Sequence, residues 1–375
     1  MAHHPRRIAV TTPLLAIPPT YFVTEHAEHL LRPGAAWMFR VHPLASHVTK
    51  GATRIPIIPA LPNLGSFSQR SRIASAAMPL QARHVIRERP DLIHQHHGVW
   101  TAGAAAAARI LRIPMITTFH GTDAVTAALP HPQGLQRVHR QQARLAFSRS
   151  DRILAVSEHL RRTALAAGAP ADRTLVHYQG IDTDVFTPSP IRMDRPPAIY
   201  VLSALIPRKR IDLAIRASQQ LMHDVDHELH IIGDGPLRSA LSRLASDTPH
   251  ITFHGQVDRS RVLEALRSAD LLVLPSRAEA AGLVLLEAQA CGVPVVVTGG
   301  DGKQEMLQDG VTGTVTSPDP TPVELARALH AWLPDSSRMR EQVARAARNF
   351  VVTQRSVHVG AERLVQIYDE VLGTA

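Results

Sequence analysis

Cysteine is almost absent from this sequence: Cys291 is the single one among 375 residues. No internal disulfide can form, which fits a reducing compartment. Long apolar runs are also missing, since no stretch of about 18 uncharged apolar residues occurs. The opening residues, Met-Ala-His-His-Pro-Arg-Arg, lack the apolar core of a signal peptide. We therefore expect a cytoplasmic protein without a membrane span, with peripheral contact to the inner membrane face as an open alternative.

Lysine is scarce as well, with three lysines against 38 arginines, and the charge is unevenly distributed. Residues 1–190 carry 21 Lys or Arg and 10 Asp or Glu, a net charge of +11. Residues 191–375 carry 20 and 22, a net charge of −2. The basic half favours an anionic partner, such as a membrane surface or a phosphorylated molecule. An arginine-rich composition alone would give the same surface, and we expect no specific nucleic-acid partner.

Apolar runs alternate with helical patterns along both halves, which indicates two α/β domains with mostly parallel sheets. Prolines at positions 188, 190, 196 and 197 indicate a linker between the halves. We predict domains at 1–190 and 191–350, and a terminal helical segment, 351–375, that packs back on the first domain. Two doubly wound domains in tandem would enclose a ligand cleft between the carboxyl edges of their sheets. Strands are predicted at 8–12, 37–41, 54–59, 92–96, 115–119, 153–157 and 175–178, then at 198–202, 229–232, 251–254, 271–274, 295–297 and 313–316.

Glu279 lies in the loop that connects a buried strand to a helix predicted at 283–291, and Glu287 lies eight positions later, within that helix. The amides around Gly282 and Leu283 would have no helical acceptor and could face a phosphate. A carboxylate one turn into the helix, at Glu287, can accept two hydrogen bonds from a ribose diol. Glu279 in the loop could meet sugar hydroxyls. The alternative is a plain loop acid and a plain surface residue, although an unpaired charge in so apolar a helix is costly.

Three cations, Arg208, Lys209 and Arg210, stand between the first strand of the second half and the next helix. Cations oppose the dipole at a helix start, so this turn favours an external anion such as a phosphate. A solvated basic turn is the alternative. The Gly233-Asp234-Gly235-Pro236 turn has the residues for a tight strand-to-helix connection, which is a weak signal by itself.

His120 closes a strand of the first half at the edge expected to face the cleft, with Gly121 leaving room for close approach. One histidine among 22 is usually structural. His94, His96 and His97 suggest a metal, but no cysteine or carboxylate cluster accompanies them, and neighbouring strand positions alternate in direction. We predict no metal site.

Together these motifs resemble the retaining glycosyltransferases of family 4, which have the GT-B architecture of two Rossmann-like domains. The resemblance covers nearly the whole chain and is strongest from about 200 to 315. It rests also on Phe253-His254-Gly255, on Asp309-Gly310-Val311-Thr312-Gly313, and on Gly180-Ile181-Asp182 in the first half.

The resemblance implies that Lys209 binds the donor diphosphate, Glu287 the ribose and Glu279 the transferred sugar. It places His120 at the reaction centre, as a catalytic residue with Glu279, and Gln256 and Val257 near the base. It further implies a UDP- or GDP-linked hexose as donor, retention of anomeric configuration, and no cofactor or metal. The acceptor would be a cell-surface glycan or exopolysaccharide, lipid-linked or not, with a small secondary metabolite such as an aminocyclitol as the near rival. A sugar-nucleotide epimerase and a charge-driven binding protein remain alternatives.

Three positions depart from the family pattern. Ala281 stands where an aromatic residue is usual, and Gln179 stands where asparagine is usual. Ala204 stands where an arginine is usual, and Arg208 is the candidate to replace that cation.

Overall fold

The computed structural model describes residues 5–17, 21–31, 36–48, 53–61, 67–190, 195–333 and 337–374. The chain forms two compact units. One unit comprises Met1–Gly180 together with Val357–Ala375, and the other comprises Ile181–Ser356. The change of unit therefore comes at Gly180, earlier in the chain than the boundary predicted at 190. The return to the first unit comes after Ser356 rather than after residue 350.

The first unit contains a six-stranded parallel sheet in the order β2-β1-β3-β4-β5-β6. The order reverses between β1 and β3, which is a topological switch point. The strands are β1 (Arg6–Ile17), β2 (Trp37–Val48), β3 (Leu92–His96), β4 (Met115–Phe119), β5 (Arg152–Ala155) and β6 (Thr174–Val176). The helices are α1 (Glu25–Leu30), α2 (Phe67–Glu88), α3 (Ala102–Leu111), α4 (Thr122–Ala128), α5 (Leu135–Arg149) and α6 (Glu158–Ala166).

The strand predicted at 54–59 is not formed as a strand. This segment only touches β2, through isolated bridges from Val41 to Ile57 and from Ala45 to Leu61. Pro56 and Pro59 lack an amide hydrogen, which prevents a continuous ladder.

The second unit contains another six-stranded parallel sheet, in the order β12-β11-β10-β7-β8-β9. The order reverses between β7 and β10, at the centre of the sheet. The strands are β7 (Ala198–Leu202), β8 (Glu228–Ile232), β9 (Ile251–Gly255), β10 (Leu271–Leu274), β11 (Val295–Thr298) and β12 (Gly313–Thr316). The helices are α7 (Ile211–Leu221), α8 (Arg238–Leu244), α9 (Arg259–Ser268), α10 (Leu283–Ala290), α11 (Pro322–His330) and α12 (Ser337–Gln354).

The central strands β10 and β11 are buried at every position because helices cover both faces of the sheet. Helix starts are fixed by side chains. Asp258 caps α9, and Thr321 forms a capping box with Glu324 at α11. The two parallel sheets, each covered by helices, confirm the prediction of two α/β domains.

The last helix, α13 (Val357–Leu372), packs in the core of the first unit. Tyr368 is buried there with Ile8 and Phe39, and its hydroxyl lies 2.7 Å from Nδ1 of His94. No helix within the described ranges has both the length and the apolar character needed to span a membrane.

Candidate functional site

Three loops meet at the carboxyl edge of the second sheet, beside its switch point. One follows β7 and contains the short 3-10 helix Pro207–Lys209. Another follows β10 and carries Glu279, and the third follows β11 with the 3-10 helix Gly302–Met306. The carboxyl end of strands at a switch point is where doubly wound sheets bind ligands.

The Lys209 ammonium forms an ion pair with the Glu279 carboxylate, and both side chains are largely buried, at 14% and 12% exposure. The backbone joins the same two loops, because the Arg277 amide donates to the Arg208 carbonyl at 2.8 Å. The exposed Arg208 guanidinium donates to the Ala278 carbonyl at 2.9 Å. The structure thus brings together two predicted site residues, Lys209 and Glu279, that lie 70 positions apart.

Asp301 and Lys303 hold Glu279 from the third loop, and neither residue was predicted from the sequence. One oxygen of Asp301 accepts the Glu279 amide at 2.9 Å and the Lys303 ammonium at 2.6 Å. The Gly302 amide donates back to the Glu279 carbonyl at 3.1 Å. Lys303 is fully buried, and this burial lowers the pKa of its ammonium, which the hydrogen bond to Asp301 partly opposes. The available signal was Gly-Gly-Asp-Gly-Lys directly after a buried strand.

Helix α10 begins at the predicted position, directly after Gly282. This glycine is left-handed, with φ +85°, and a Cβ there would lie 3.2 Å from Leu274. The first amides of the helix, starting at Leu283, have no acceptor within the helix and carry its positive dipole end. Glu287 lies one turn further and is 9% exposed. The helix start and the exposed Arg208 thus add positive charge to an edge where Glu279 already balances the Lys209 ammonium.

Gly233 and Gly235 serve the packing of this edge. A Cβ at Gly233 would lie 1.9 Å from the Ser203 carbonyl oxygen, and one at Gly235 would lie 2.6 Å from that of Leu205. Both glycines also have positive φ, at +134° and +159°. They let the turn after β8 pass directly against the segment after β7, which leads to Lys209.

Gln256 and Val257 follow β9, the edge strand of the sheet, at its carboxyl end. Gln256 is exposed and Val257 is partly buried. Their predicted contact with a base stays a prediction. Ala281, where an aromatic residue was expected, is buried at 6% exposure.

In the first unit, His120 follows β4 in a turn organised by Asp123. The buried Asp123 carboxylate accepts the amides of Gly98, His120, Gly121 and Ala124 at 2.9 to 3.1 Å. This shell of amides fixes the backbone around the His120 ring.

The His120 ring is held at both nitrogens. Nε2 lies 3.0 Å from Nδ1 of His96, and Nδ1 lies 3.2 Å from the Gln179 amide nitrogen. With the Gln179 amide nitrogen as the donor, the arrangement fits the His120 tautomer whose proton lies on Nε2, directed at His96. Burial is the main cause that lowers the pKa of His120 well below its ordinary value, and the neighbouring His97 lowers it further. The ring is therefore neutral at pH 7.

Other imidazoles surround His120, and here the sequence interpretation was wrong in one respect. His94 and His96 are two positions apart in β3 and therefore share a face, with ring centroids 4.4 Å apart. His97 also packs on His120, at 4.5 Å. In the part of the chain that the structure describes, no group of histidine, cysteine or acidic side chains has the arrangement to hold a metal ion.

Two family models match the chain, one in each half. The model described as Glycosyltransferase Family 4 matches residues 21–185. The model described as Glycosyl transferases group 1 matches residues 185–350. Together they cover residues 21–350, which include every predicted site residue and all strands of the two sheets except β1.

Curated relatives match over part of their length. A GDP-mannose-dependent alpha-(1-6)-phosphatidylinositol monomannoside mannosyltransferase of Mycolicibacterium smegmatis is 34% identical over 251 residues, 59% of this chain and 63% of the relative. A D-inositol 3-phosphate glycosyltransferase of Nocardia farcinica is 30% identical over 280 residues, 68% of this chain and 61% of the relative. The match therefore spans less than two thirds of the length of either relative.

Solved structures share the fold at low sequence identity. The crystal structure of Anabaena HepE in complex with UDP and glucose superposes with a TM-score of 0.77 at 21% identity, covering 96% of this chain and 99% of that one. At this identity the likeness shows the fold, the GT-B pair of Rossmann-like units.

Proposed function

We propose that this chain, which belongs to the group 1 glycosyltransferases of family 4, transfers a hexose from a nucleotide diphosphate sugar to an acceptor hydroxyl. The observation that carries the proposal is the Lys209–Glu279 pair at the carboxyl edge of the second sheet, beside the start of α10. A bound diphosphate would draw the Lys209 ammonium from its pairing with Glu279, and the first amides of α10 would donate to the phosphate oxygens. The relatives' names, which include GDP-mannose, and the HepE complex with UDP and glucose support a nucleotide sugar as donor.

Each residue then has a separate role. Lys209 and the amides at Leu283 bind the diphosphate, with Arg208 at the exposed rim. Glu287 accepts hydrogen bonds from the ribose hydroxyls. Glu279 positions the transferred sugar, and Asp301 and Lys303 hold Glu279 in place.

The reaction breaks the bond between the anomeric carbon and the phosphate oxygen, and the electron pair leaves with the nucleoside diphosphate. The acceptor oxygen bonds to the anomeric carbon on the same face, which retains the configuration, and its proton passes to the leaving phosphate. Positive charge develops on the sugar ring and negative charge on the diphosphate, so the fixed cation and amides stabilise the transition state. His120 would donate to a sugar hydroxyl or phosphate oxygen by exchanging its Nε2–H bond to His96 for one to the substrate. The proposal assigns no step to a metal ion.

For the acceptor we favour a lipid-linked or cell-surface glycan that carries negative charge. The names of two relatives specify phosphatidylinositol monomannoside and D-inositol 3-phosphate, both phosphorylated. Residues 1–190, with a net charge of +11, suit such a molecule and an anionic membrane surface. A cationic aminocyclitol would be repelled by the same charge.

The test is a transfer assay with UDP- and GDP-linked hexoses, with and without phosphatidylinositol-containing vesicles or inositol phosphate as acceptor. The proposal predicts release of nucleoside diphosphate together with a glycosylated product, only when an acceptor is present. Nuclear magnetic resonance of the product should show the anomeric configuration of the donor. Conversion of the donor to another sugar nucleotide without acceptor would support an epimerase instead.

A further inference from the structure

A large cavity lies at the opposite edge of the second sheet from the Lys209 site. It has a volume of about 870 Å³ and is bordered by Asp270, just before β10, and by Val293 and Pro294, just before β11. Because Glu279 follows β10 while Asp270 precedes it, the length of the strand, about 13 Å for four residues, separates the two places. The cavity is therefore distinct from the proposed donor site.

One face of α12 forms a wall of this cavity. Glu341, Ala344, Arg345, Arg348 and Val352 follow helical spacing and all line it. The buried Ala347 and Val351 pack into the unit instead. Pro188 and Pro190 of the predicted linker also line the cavity, as does Arg267 at the end of α9.

Five arginines and three acids line the cavity, and the acids are already engaged. Asp270 receives two guanidinium groups, from Arg195 at 2.8 Å and Arg340 at 2.6 Å. Glu264 pairs with Arg261, and Glu341 pairs with Arg345. Because five arginines face three acids, the lining of the cavity keeps a net positive charge.

Two of the arginines bond only to neutral oxygens within the described residues. Arg267 donates to the Thr187 carbonyl at 3.0 Å and its hydroxyl at 2.5 Å, with a longer contact to the Val185 carbonyl. Arg348 donates to the carbonyls of Thr183, Phe186 and Ala290 at 2.7 to 3.2 Å. These bonds orient both guanidinium groups without neutralising them, and each retains donors because a guanidinium carries five N–H groups.

Arginines held in place around a concave site are suited to phosphate, which they bind with two parallel hydrogen bonds. The volume is that of a site for a small organic molecule, since ligand pockets are typically about 300–1,000 Å³. Pro188, Val293 and Val352 add apolar wall beside the cations. Inorganic phosphate alone would leave most of this space empty.

We propose that this cavity, lined by Arg267, Arg345 and Arg348, is a second ligand site that binds a phosphorylated small molecule. It is independent of the donor site and does not depend on the proposed transfer activity. The ligand's phosphate group lies against the arginines and its less polar part against the proline and valine wall.

The test uses the full chain and inorganic pyrophosphate as probe, with binding measured by calorimetry at low ionic strength. The Lys209→Ala variant removes the principal cation of the donor site, so pyrophosphate that still binds must bind elsewhere. The proposal predicts that this variant retains the pyrophosphate site in the cavity. In that background, Arg267→Gln combined with Arg345→Glu should weaken the remaining binding at least tenfold. Arg338→Glu is the matched control, since Arg338 is exposed on the same helix and is not among the described lining residues. It should change the affinity less than twofold.

Arg345→Glu alone keeps the test valid if loss of the Arg267 bonds unfolds the protein, because Arg345 pairs with the exposed Glu341 at the surface. Loss of all pyrophosphate binding in Lys209→Ala would overturn the proposal, as would unchanged affinity in the cavity variants. Charge-dependent sedimentation with phosphatidic acid vesicles, without binding of soluble pyrophosphate, would also overturn it, since the arginines would then serve a lipid surface. Failure of the transfer assay would leave these outcomes unaffected.

Discussion

The buried ammonium of Lys303 donates to the Asp301 carboxylate at 2.6 Å, and the same oxygen accepts the Glu279 amide. A buried charge pair of this kind is costly to break on one side only. The pair therefore connects the stability of the second unit to the position of Glu279.

Replacing Asp301 with alanine should leave the Lys303 ammonium unpaired in the interior. We expect the free energy of unfolding to fall by about 3–5 kcal/mol, measured by urea denaturation. The double variant Asp301→Ala/Lys303→Met should be more stable than Asp301→Ala alone, because the uncompensated charge is gone. Additive losses from the two substitutions would show that the pair is not coupled.

A methyl group at Gly233 should destabilise the second unit, since its Cβ would lie 1.9 Å from the Ser203 carbonyl oxygen. Gly310→Ala is the matched control, because Gly310 also has positive φ, at +74°, but its added Cβ would meet nothing within 4 Å. We expect Gly310→Ala to cost about 1 kcal/mol of unfolding free energy from backbone strain, and Gly233→Ala clearly more. Equal melting temperatures for the two variants would contradict the close approach.

The second sheet could be predicted almost completely from the sequence, and the reason is physical. Its strands are short apolar runs that end in turn residues, as in 271–274 before Pro275 and 313–316 after Gly310. The first unit was harder. β1 and β2 each extend for 12 residues and pass through Pro13 and Pro43. A search for proline-free runs therefore predicts both strands too short.

Lys209 and the acids of the 279–287 motif were selected because their residue types imply a partner chemistry, and the structure brings Lys209 and Glu279 together. Asp301 and Lys303 were not predictable, because an acid and a lysine two positions apart in a loop usually lie in solvent. Only the tertiary structure shows that the loop is buried. The histidine cluster was missed for a simpler reason, the two-residue period of β3, which places His94 beside His96.

Stability should fall as the pH falls below about 6.5, the ordinary pKa of histidine. Burial lowers the pKa of His42 to about 4 and that of His94 to about 3. Between 6.5 and those values the unfolded chain binds more protons than the folded chain, so acid favours unfolding. Each such histidine contributes up to about 1.4 kcal/mol per pH unit. Urea denaturation at pH 7 and pH 5 measures the difference.

His42→Leu should reduce that pH dependence, because it removes one of the buried titrating groups. The exposed His223 supplies the control, since His223→Leu should leave the slope unchanged. A stability that does not vary between pH 7 and 5 would mean that the histidines are not buried as neutral groups.

The Gln179 amide should fix the proton position of His120, because it donates to Nδ1 at 3.2 Å. In Gln179→Leu, loss of this neutral hydrogen bond, worth about 0.5–1.5 kcal/mol, should lower kcat about threefold to tenfold with little change in KM for the donor. The nitrogen chemical shifts of His120 should show the Nε2–H form in the wild type and a mixture in the variant. Identical shifts would exclude this positioning role.

A nucleoside diphosphate is expected to bind at the carboxyl edge of the second sheet. Calorimetric titration of UDP and GDP into the wild type, Lys209→Ala and Glu287→Ala tests it directly, with the exposed Arg243→Ala as control. We predict that each site variant loses about 1.5–3 kcal/mol of binding free energy while remaining folded, and that the control loses almost none. Unchanged nucleotide affinity in both site variants would contradict the account.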